Sequence, residues 1–168
     1  YHADVDAIYR NTQHLAALVD DVLDLSQIEA HRLALVRDRV EINKDVIAKV
    51  DKIVRPLVER KGLSLQLDLE ESIPWVLADP VRLRQVMLNL LTNAVRETEH
   101  GGIIVRTQLA EDAIAVSVAD TGPGIAPDDM SRLFEEFRQL ESGKARHKGS
   151  GLGLNISKQF IELHGGQI

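Results

Sequence analysis

Cysteine is absent from the 168 residues. That excludes disulfides and thiolate metal sites and fits a reducing compartment. Aromatic residues are few, with one Trp, two Tyr and three Phe, so the core must be built from Leu, Val, Ile and Ala. No run approaches the roughly 18 apolar residues of a membrane span, and no signal peptide opens the chain. Basic residues are the minority, 20 Lys and Arg against 26 Asp and Glu. The resulting net charge of −6 argues against nucleic acid as a partner. No membrane contact is expected of this segment. The start at Tyr1, without methionine, reads as a fragment of something longer.

What is present first is a helix. Val5, Ile8, Thr12, Leu15, Val19 and Val22 alternate spacings of three and four, the seam of a bundle-forming helix over residues 1–32. Leu18 and Leu25 widen the stripe. Packing of this helix on its own domain is the other reading, but a rod of about 45 Å with so narrow a seam favours an antiparallel helical bundle.

Residues 33–168 change in pattern. Leu33-Ala34-Leu35-Val36 predicts a strand, and Asn43 an N-cap for a helix to Lys61, ended by Gly62. Leu63, Leu65, Leu67 and Leu69 alternate as a strand does, and Trp75-Val76-Leu77-Ala78 is a short apolar one. Asp79-Pro80 reads as an N-cap with proline at the first helical position, opening a helix to Glu99. Residues 103–109 and 113–119 predict a hairpin turning at Glu111-Asp112. A short helix from Pro127, a polar loop at 138–148 and a helix from Ser150 to His164 complete the pattern. Strands with interleaved helices predict an α+β two-layer sandwich, preceded by the long helix.

Four segments carry chemistry. On the helix from Pro80, Leu83, Val86, Met87, Leu90, Leu91 and Ala94 form one face, and Gln85, Asn89, Asn93 and Arg96 the other. A solvated face would favour Glu, Lys or Gln, whereas asparagine is a poor helix former. Two Asn one turn apart imply that neutral oxygen ligands matter there, and such oxygens suit Mg²⁺ bridging to phosphates. Arg96 can pair with those phosphates. Asp120-Thr121-Gly122-Pro123-Gly124-Ile125 follows an apolar strand. Its glycines allow a ligand close to the backbone, although taken alone it is an ordinary turn. Gly149-Ser150-Gly151-Leu152-Gly153 leads into a helix whose free N–H groups and dipole favour anions. It is neither a Walker loop nor a dinucleotide fingerprint. Before it, Arg138, Lys144, Arg146 and Lys148 form a basic loop contiguous with those glycines, read as a lid over a triphosphate. Phe134 and Phe137 stand at its base.

In this order the four segments resemble the N, G1, F and G2 boxes of sensor histidine kinases, over nearly the whole chain. The resemblance implies the Bergerat ATP-binding fold, a mixed sheet with helices on one face. It implies ATP and Mg²⁺ as cofactors, with Asn93 as metal ligand and Asn89 and Asn93 as the catalytic pair. Asp120 inherits the adenine contact. Gly122, Gly124, Ile125, Lys144, Lys148, Gly149, Ser150, Gly151, Leu152 and Gly153, with Arg96, complete the nucleotide site. Gyrase-like and Hsp90-like ATPases share the fold but carry a glutamate base four residues before the metal-binding Asn. Here that position is Asn89, which cannot accept a proton near neutrality. The substitution favours the kinase.

The first helix resembles the second helix of the dimerisation and phosphotransfer hairpin. A homodimer through that hairpin, a response regulator receiver domain as recipient and a cytoplasmic location, alone or as the cytosolic part of a membrane-bound sensor, are implied. No histidine carries the phosphoacceptor context. His14, for example, is followed by Leu15. Glu97 stands where the family has Tyr or Phe, and the chain stops at Ile168 where the family continues into further strands. A GHKL-type ATPase and a degenerate nucleotide-dependent interaction module are the rival readings.

Overall fold

The structure is a computed structural model that describes residues 2–135 and 151–168. Helix α1 spans His2–Glu29, ending three residues earlier than expected. It closes with Arg32 N–H on the Gln27 carbonyl (2.9 Å) and His31 N–H on that of Ile28 (2.9 Å), a Schellman end in which His31 takes the left-handed position, φ 53°. The expected strand at 33–36 does not form. The Val36 N–H donates instead to Asp79 Oδ2 at 2.9 Å, so the backbone there is bound by a side chain and not by a ladder. Strand β1 comes later, at Asp38–Val40, antiparallel to β3, Val76–Ala78.

Between them, a π-helical turn at Ile42–Ile47 leads into α2, Ala48–Arg60. Asn43 is not its cap. The Asn43 amide donates to the Glu70 carbonyl (2.8 Å) and accepts from Thr107 Oγ1 (3.0 Å), while Asp45 reaches back to the Glu41 N–H (3.0 Å). Gly62 does end α2, at φ +71°.

Strand β2, Ser64–Leu69, runs parallel to β4, Gly102–Ala110, which pairs antiparallel with β5, Ala113–Asp120. The order β2-β4-β5 makes a mixed sheet. Ala110 pairs with Ala113, leaving Glu111-Asp112 as the two-residue turn. Helix α3, Pro80–Glu97, starts where read: Asp79 Oδ1 accepts the N–H of Val81 (2.9 Å) and Arg82 (3.2 Å). Helices α4, Pro127–Met130, and α5, Gly153–Leu163, complete the fold. Helix α5 begins at Gly153, not Ser150, with Leu152 at its N-cap.

Two cores hold this together, both almost wholly aliphatic. In the larger, Val46, Val50 and Val54 meet Met87 and Leu91 of α3 and Ile103 and Val105 of β4, so α2 and α3 cover one face of the sheet. The smaller lies on the other side of α3, where Val86 meets Leu25, Leu152, Ile156 and Phe160. The α+β sandwich is as expected, with α3 clasped between the sheet and α5. Only the end of α1 joins the second core. Val5, Ile8, Leu15, Val19 and Val22 stay at least half exposed, so the seam does not pack on the rest of the chain. Among the described residues no helix is long and apolar enough to cross a membrane.

Candidate functional site

Helix α3 carries the site. Its polar stripe is not a solvated face, because α5 lies along it. Asn89 Nδ2 donates to Ser157 Oγ at 3.0 Å, and Asn93 Nδ2 faces Asn89 Oδ1 at 3.5 Å. Gly153 lies directly against the Asn89 amide. A Cβ at Gly153 would collide with Asn89 Oδ1 and come within 3.0 Å of its Cγ, so the helix α5 start can approach Asn89 only as glycine. The first helical hydrogen bond of α5 is Ile156 N–H to the Leu152 carbonyl, 2.9 Å. The N–H groups before it end the helix on the side of the Asn stripe, with the positive dipole end there.

One turn beyond Asn93, the Asp120–Gly124 turn closes over the end of α3. A Cβ at Gly122 would meet Asp120 Oδ1 at 2.7 Å and the Glu97 carbonyl oxygen at 3.3 Å. Asp120 is exposed at the end of β5, and its Oδ1 accepts the Gly122 N–H at 2.8 Å. That bond orients the carboxylate. Gly124 holds φ +72° with open space around it, and Ile125 is 44% exposed. Thr121 fixes the turn to the sheet. Its Oγ1 donates to the His100 carbonyl (2.7 Å) and accepts the Gly102 N–H (3.0 Å), and its own N–H donates to the Gly102 carbonyl (3.1 Å).

Arg96 is engaged in this structure. Its Nε contacts Glu97 Oε1 at 2.7 Å on the surface, so Glu97 neutralises the cation expected to face phosphate. Lys61 caps the same helix end, with Nζ donating to the carbonyls of Val95 (2.7 Å) and Arg96 (2.9 Å).

The structure thus brings Asn89, Asn93 and Gly153 together and sets Asp120, Gly122 and Glu97 one turn away. Gly151, at φ +72°, and buried Leu152 lead into Gly153. Phe137, Arg138, Lys144, Arg146, Lys148, Gly149 and Ser150 lie outside the described residues. Phe134 is described. Its carbonyl accepts Asn155 Nδ2 at 2.9 Å and its ring lies 5.6 Å from Lys158 Nζ, which ties it to α5.

Sequence reasoning missed Thr121, Asn155 and Ser157. Thr121 stood in view inside a glycine turn, where a hydroxyl signals local backbone bonding. Asn155 and Ser157 are polar residues on a helix, and nothing local separates such residues from surface ones.

The donor set fits a hard divalent cation. Neutral amide oxygens at Asn89 and Asn93 are ligands that Mg²⁺ accepts while it keeps waters and phosphate oxygens. Among the described residues no group of three His, Asp or Glu side chains could hold a metal ion, so such a cation would depend on its substrate for much of its shell.

Residues 78–168 match the family model described as histidine kinase-, DNA gyrase B-, and HSP90-like ATPase. The circadian input-output histidine kinase CikA of Synechococcus elongatus is 37% identical over 167 residues, covering 98% of this chain and 22% of the relative. Among solved structures, full-length ShkA in complex with AMPPNP is 34% identical at a TM-score of 0.83, with 98% of this chain and 34% of that one covered. Acinetobacter baumannii histidine kinase AdeS is 26% identical at a TM-score of 0.77, with 94% of this chain and 72% of that one covered. The chain spans about a fifth of the length of the curated relatives it matches. Motif, fold and sequence agree, and the chain belongs to the histidine kinase-, DNA gyrase B- and HSP90-like ATPase family, its relatives there being histidine kinases.

Proposed function

We propose that this chain is the ATP-binding catalytic region of a sensor histidine kinase, residues 33–168, joined to the second helix of its dimerisation and phosphotransfer hairpin, residues 1–32. The carrying observation is the Asn89–Asn93 stripe running from the α5 start at Gly153 toward the Asp120–Gly122 turn. Asn93, supported by Asn89, would hold Mg²⁺ between protein and phosphates, and Mg²⁺ supplies charge neutralisation on the phosphate oxygens. The exposed Asp120 carboxylate accepts the adenine amino group. The α5 N-terminus faces the phosphates, and Lys144 and Lys148, which lie outside the described residues, would add positive charge for them.

Asn89 offers no base for water, so the site positions the γ-phosphate for an imidazole brought by another helix. The exposed seam of α1 supports a homodimer in the intact protein, and a response regulator receiver domain is the onward recipient. A cytoplasmic setting agrees with the absence of cysteine.

Calorimetry with ATP and ADP, with and without Mg²⁺, tests the binding. Magnesium-dependent heat is expected, and no heat at millimolar nucleotide overturns the reading. Labelled ATP given to the longer parent protein should yield acid-labile phosphohistidine. Binding without that product would favour the interaction-module alternative, for which the Arg96–Glu97 pair is the supporting observation. Steady turnover by this chain, lost in Asn89→Ala, would favour the ATPase.

A further inference from the structure

Helices α3 and α5 run antiparallel and touch at three rungs. Near the nucleotide end, Asn89 meets Ser157 and Gly153. In the middle, the Arg82 guanidinium carbon lies 4.8 Å over the Phe160 ring. The far rung is His164. His164 carries no phosphoacceptor context, and the site described above does not use it.

His164 is the C-cap of α5. The chain there is fixed by Gly165 at φ +81°, with Gly165 N–H on the Glu162 carbonyl (2.9 Å) and Gly166 N–H on the Ile161 carbonyl (2.9 Å), a complete Schellman end. So held, the ring has one orientation. Its Nδ1 lies 2.7 Å from the Phe160 carbonyl oxygen, and its Nε2 lies 2.9 Å from the backbone nitrogen of Asp79. The carbonyl can only accept and the Asp79 N–H can only donate. The imidazole must therefore be neutral, with its proton on Nδ1 and a lone pair on Nε2.

Asp79 is the cap that starts α3. Ten residues separate it from Asn89, about 15 Å along the helix. The His164 bond thus fixes the axial register of α5 against the helix bearing the Asn pair, and that register decides whether Gly153 stays seated on Asn89. We propose that His164 is a positioning residue for the nucleotide site, its neutral ring locking α5 onto the start of α3. This rests on the nucleotide reading above.

A proton on Nε2 would set two donors head to head and release the rung. Of the charged groups, Asp79 supplies the N–H that the ring accepts, and Arg37 bonds the neighbouring Leu163 carbonyl through Nη2 at 3.1 Å. None of these groups substitutes for the Nε2 lone pair, because the partner it serves is a backbone N–H.

The test compares Mg²⁺-ADP affinity of the parent chain, His164→Gln and His164→Leu. A glutamine oxygen can accept the Asp79 N–H as the ring nitrogen does. The Gln variant should bind like the parent and the Leu variant roughly tenfold more weakly, since it orphans a buried donor. Nitrogen-15 resonances of labelled histidine should show a protonated Nδ1 and a bare Nε2.

A Gln variant that binds as weakly as the Leu variant, a Leu variant that binds as the parent, or the opposite tautomer would each overturn the proposal. Binding that is independent of His164 sinks this role alone. Absence of binding in all three proteins sinks the nucleotide reading and this role with it.

Discussion

Asp24 and Arg82 form a partly buried ion pair, with Arg82 Nη1 2.9 Å from Asp24 Oδ1, and it joins the end of the long helix to the first turn of the helix that carries the site. Gln85 completes it, donating to Asp24 Oδ2 at 2.8 Å and accepting from Arg82 at 2.9 Å. Because Arg82 also covers the Phe160 ring, α1, α3 and α5 meet at one carboxylate. Asp24→Ala leaves Arg82 and Gln85 without their acceptor. It should destabilise by about 2 kcal/mol, below the cost of breaking a fully buried pair, since Arg82 keeps 24% of its side-chain exposure. Denaturant titration gives the loss, and hydrogen exchange should locate it in residues 20–30 before the sheet.

Two changes separate metal from base recognition. Asn93→Ala should weaken Mg²⁺-ADP binding roughly tenfold while leaving metal-free ADP nearly unchanged, because one neutral amide-oxygen contact to the metal is lost. Asp120→Ala should act on both forms and reduce the preference for adenine over guanine. Competition calorimetry distinguishes them. Equal effects of the two variants on both measurements would show that the carry-over of roles is wrong.

His31 occupies a left-handed position that glycine takes at the ends of α2 and α5. The strain of a side chain there costs about 1 kcal/mol. His31→Gly should therefore raise stability by up to that amount, offset in part by the freer unfolded chain. Its ring bond to the Glu29 carbonyl, 3.0 Å, is exposed and small in comparison. Thermal denaturation of the pair of proteins decides the sign.

Burial alone would raise the Asp79 carboxyl, but N–H donors from Val36, Arg82 and Val81, with the Arg82 charge, outweigh it and hold the group below the ordinary carboxylate range. A lowered folded value means stability that is fully present above the unfolded value, near about 3.9, and lost as pH falls through the folded one. Asp79→Asn should be less stable than the parent at pH 7, and the gap should narrow only below about pH 4. Denaturant midpoints at both ends of that range measure it.

These same residues mark what was legible. Asp79-Pro80 reads correctly because cap and helix are neighbours in sequence, and Gly62 ends α2 for equally local reasons. Leu33–Val36 misleads because Asp79, 43 residues on, takes the Val36 N–H that a strand would have used. Asn43 looks like a cap and instead ties Glu70 to Thr107, partners that only the sheet brings near. The Asn89 and Asn93 stripe was visible by residue type. Its burial under Gly153 and Ser157 was not, since helix–helix register leaves no local trace. Arg96 was read as a free phosphate ligand, and its pairing with the adjacent Glu97 depends on rotamers that sequence does not specify.

The exposed seam of α1 yields the last prediction. Val5, Ile8 and Leu15 are 60%, 65% and 61% exposed, and Val19 and Val22 each 50%, on a helix whose end alone is anchored through Leu25. A continuous apolar stripe on such a rod drives association. If α1 is a bundle helix as proposed above, this uncovered stripe should make the chain self-associate through an α1 contact. Light scattering across a concentration series should show mass rising with concentration. Val19→Asp with Val22→Asp places carboxylates in that contact, and their desolvation would cost several kcal/mol. The double variant should be monomeric throughout and keep the parent's nucleotide affinity, because neither valine touches α3 or α5 cores. A parent chain that is monomeric at every concentration, with amides of residues 5–22 protected, would mean that the seam is covered by its own chain in solution and that α1 is not a free bundle helix.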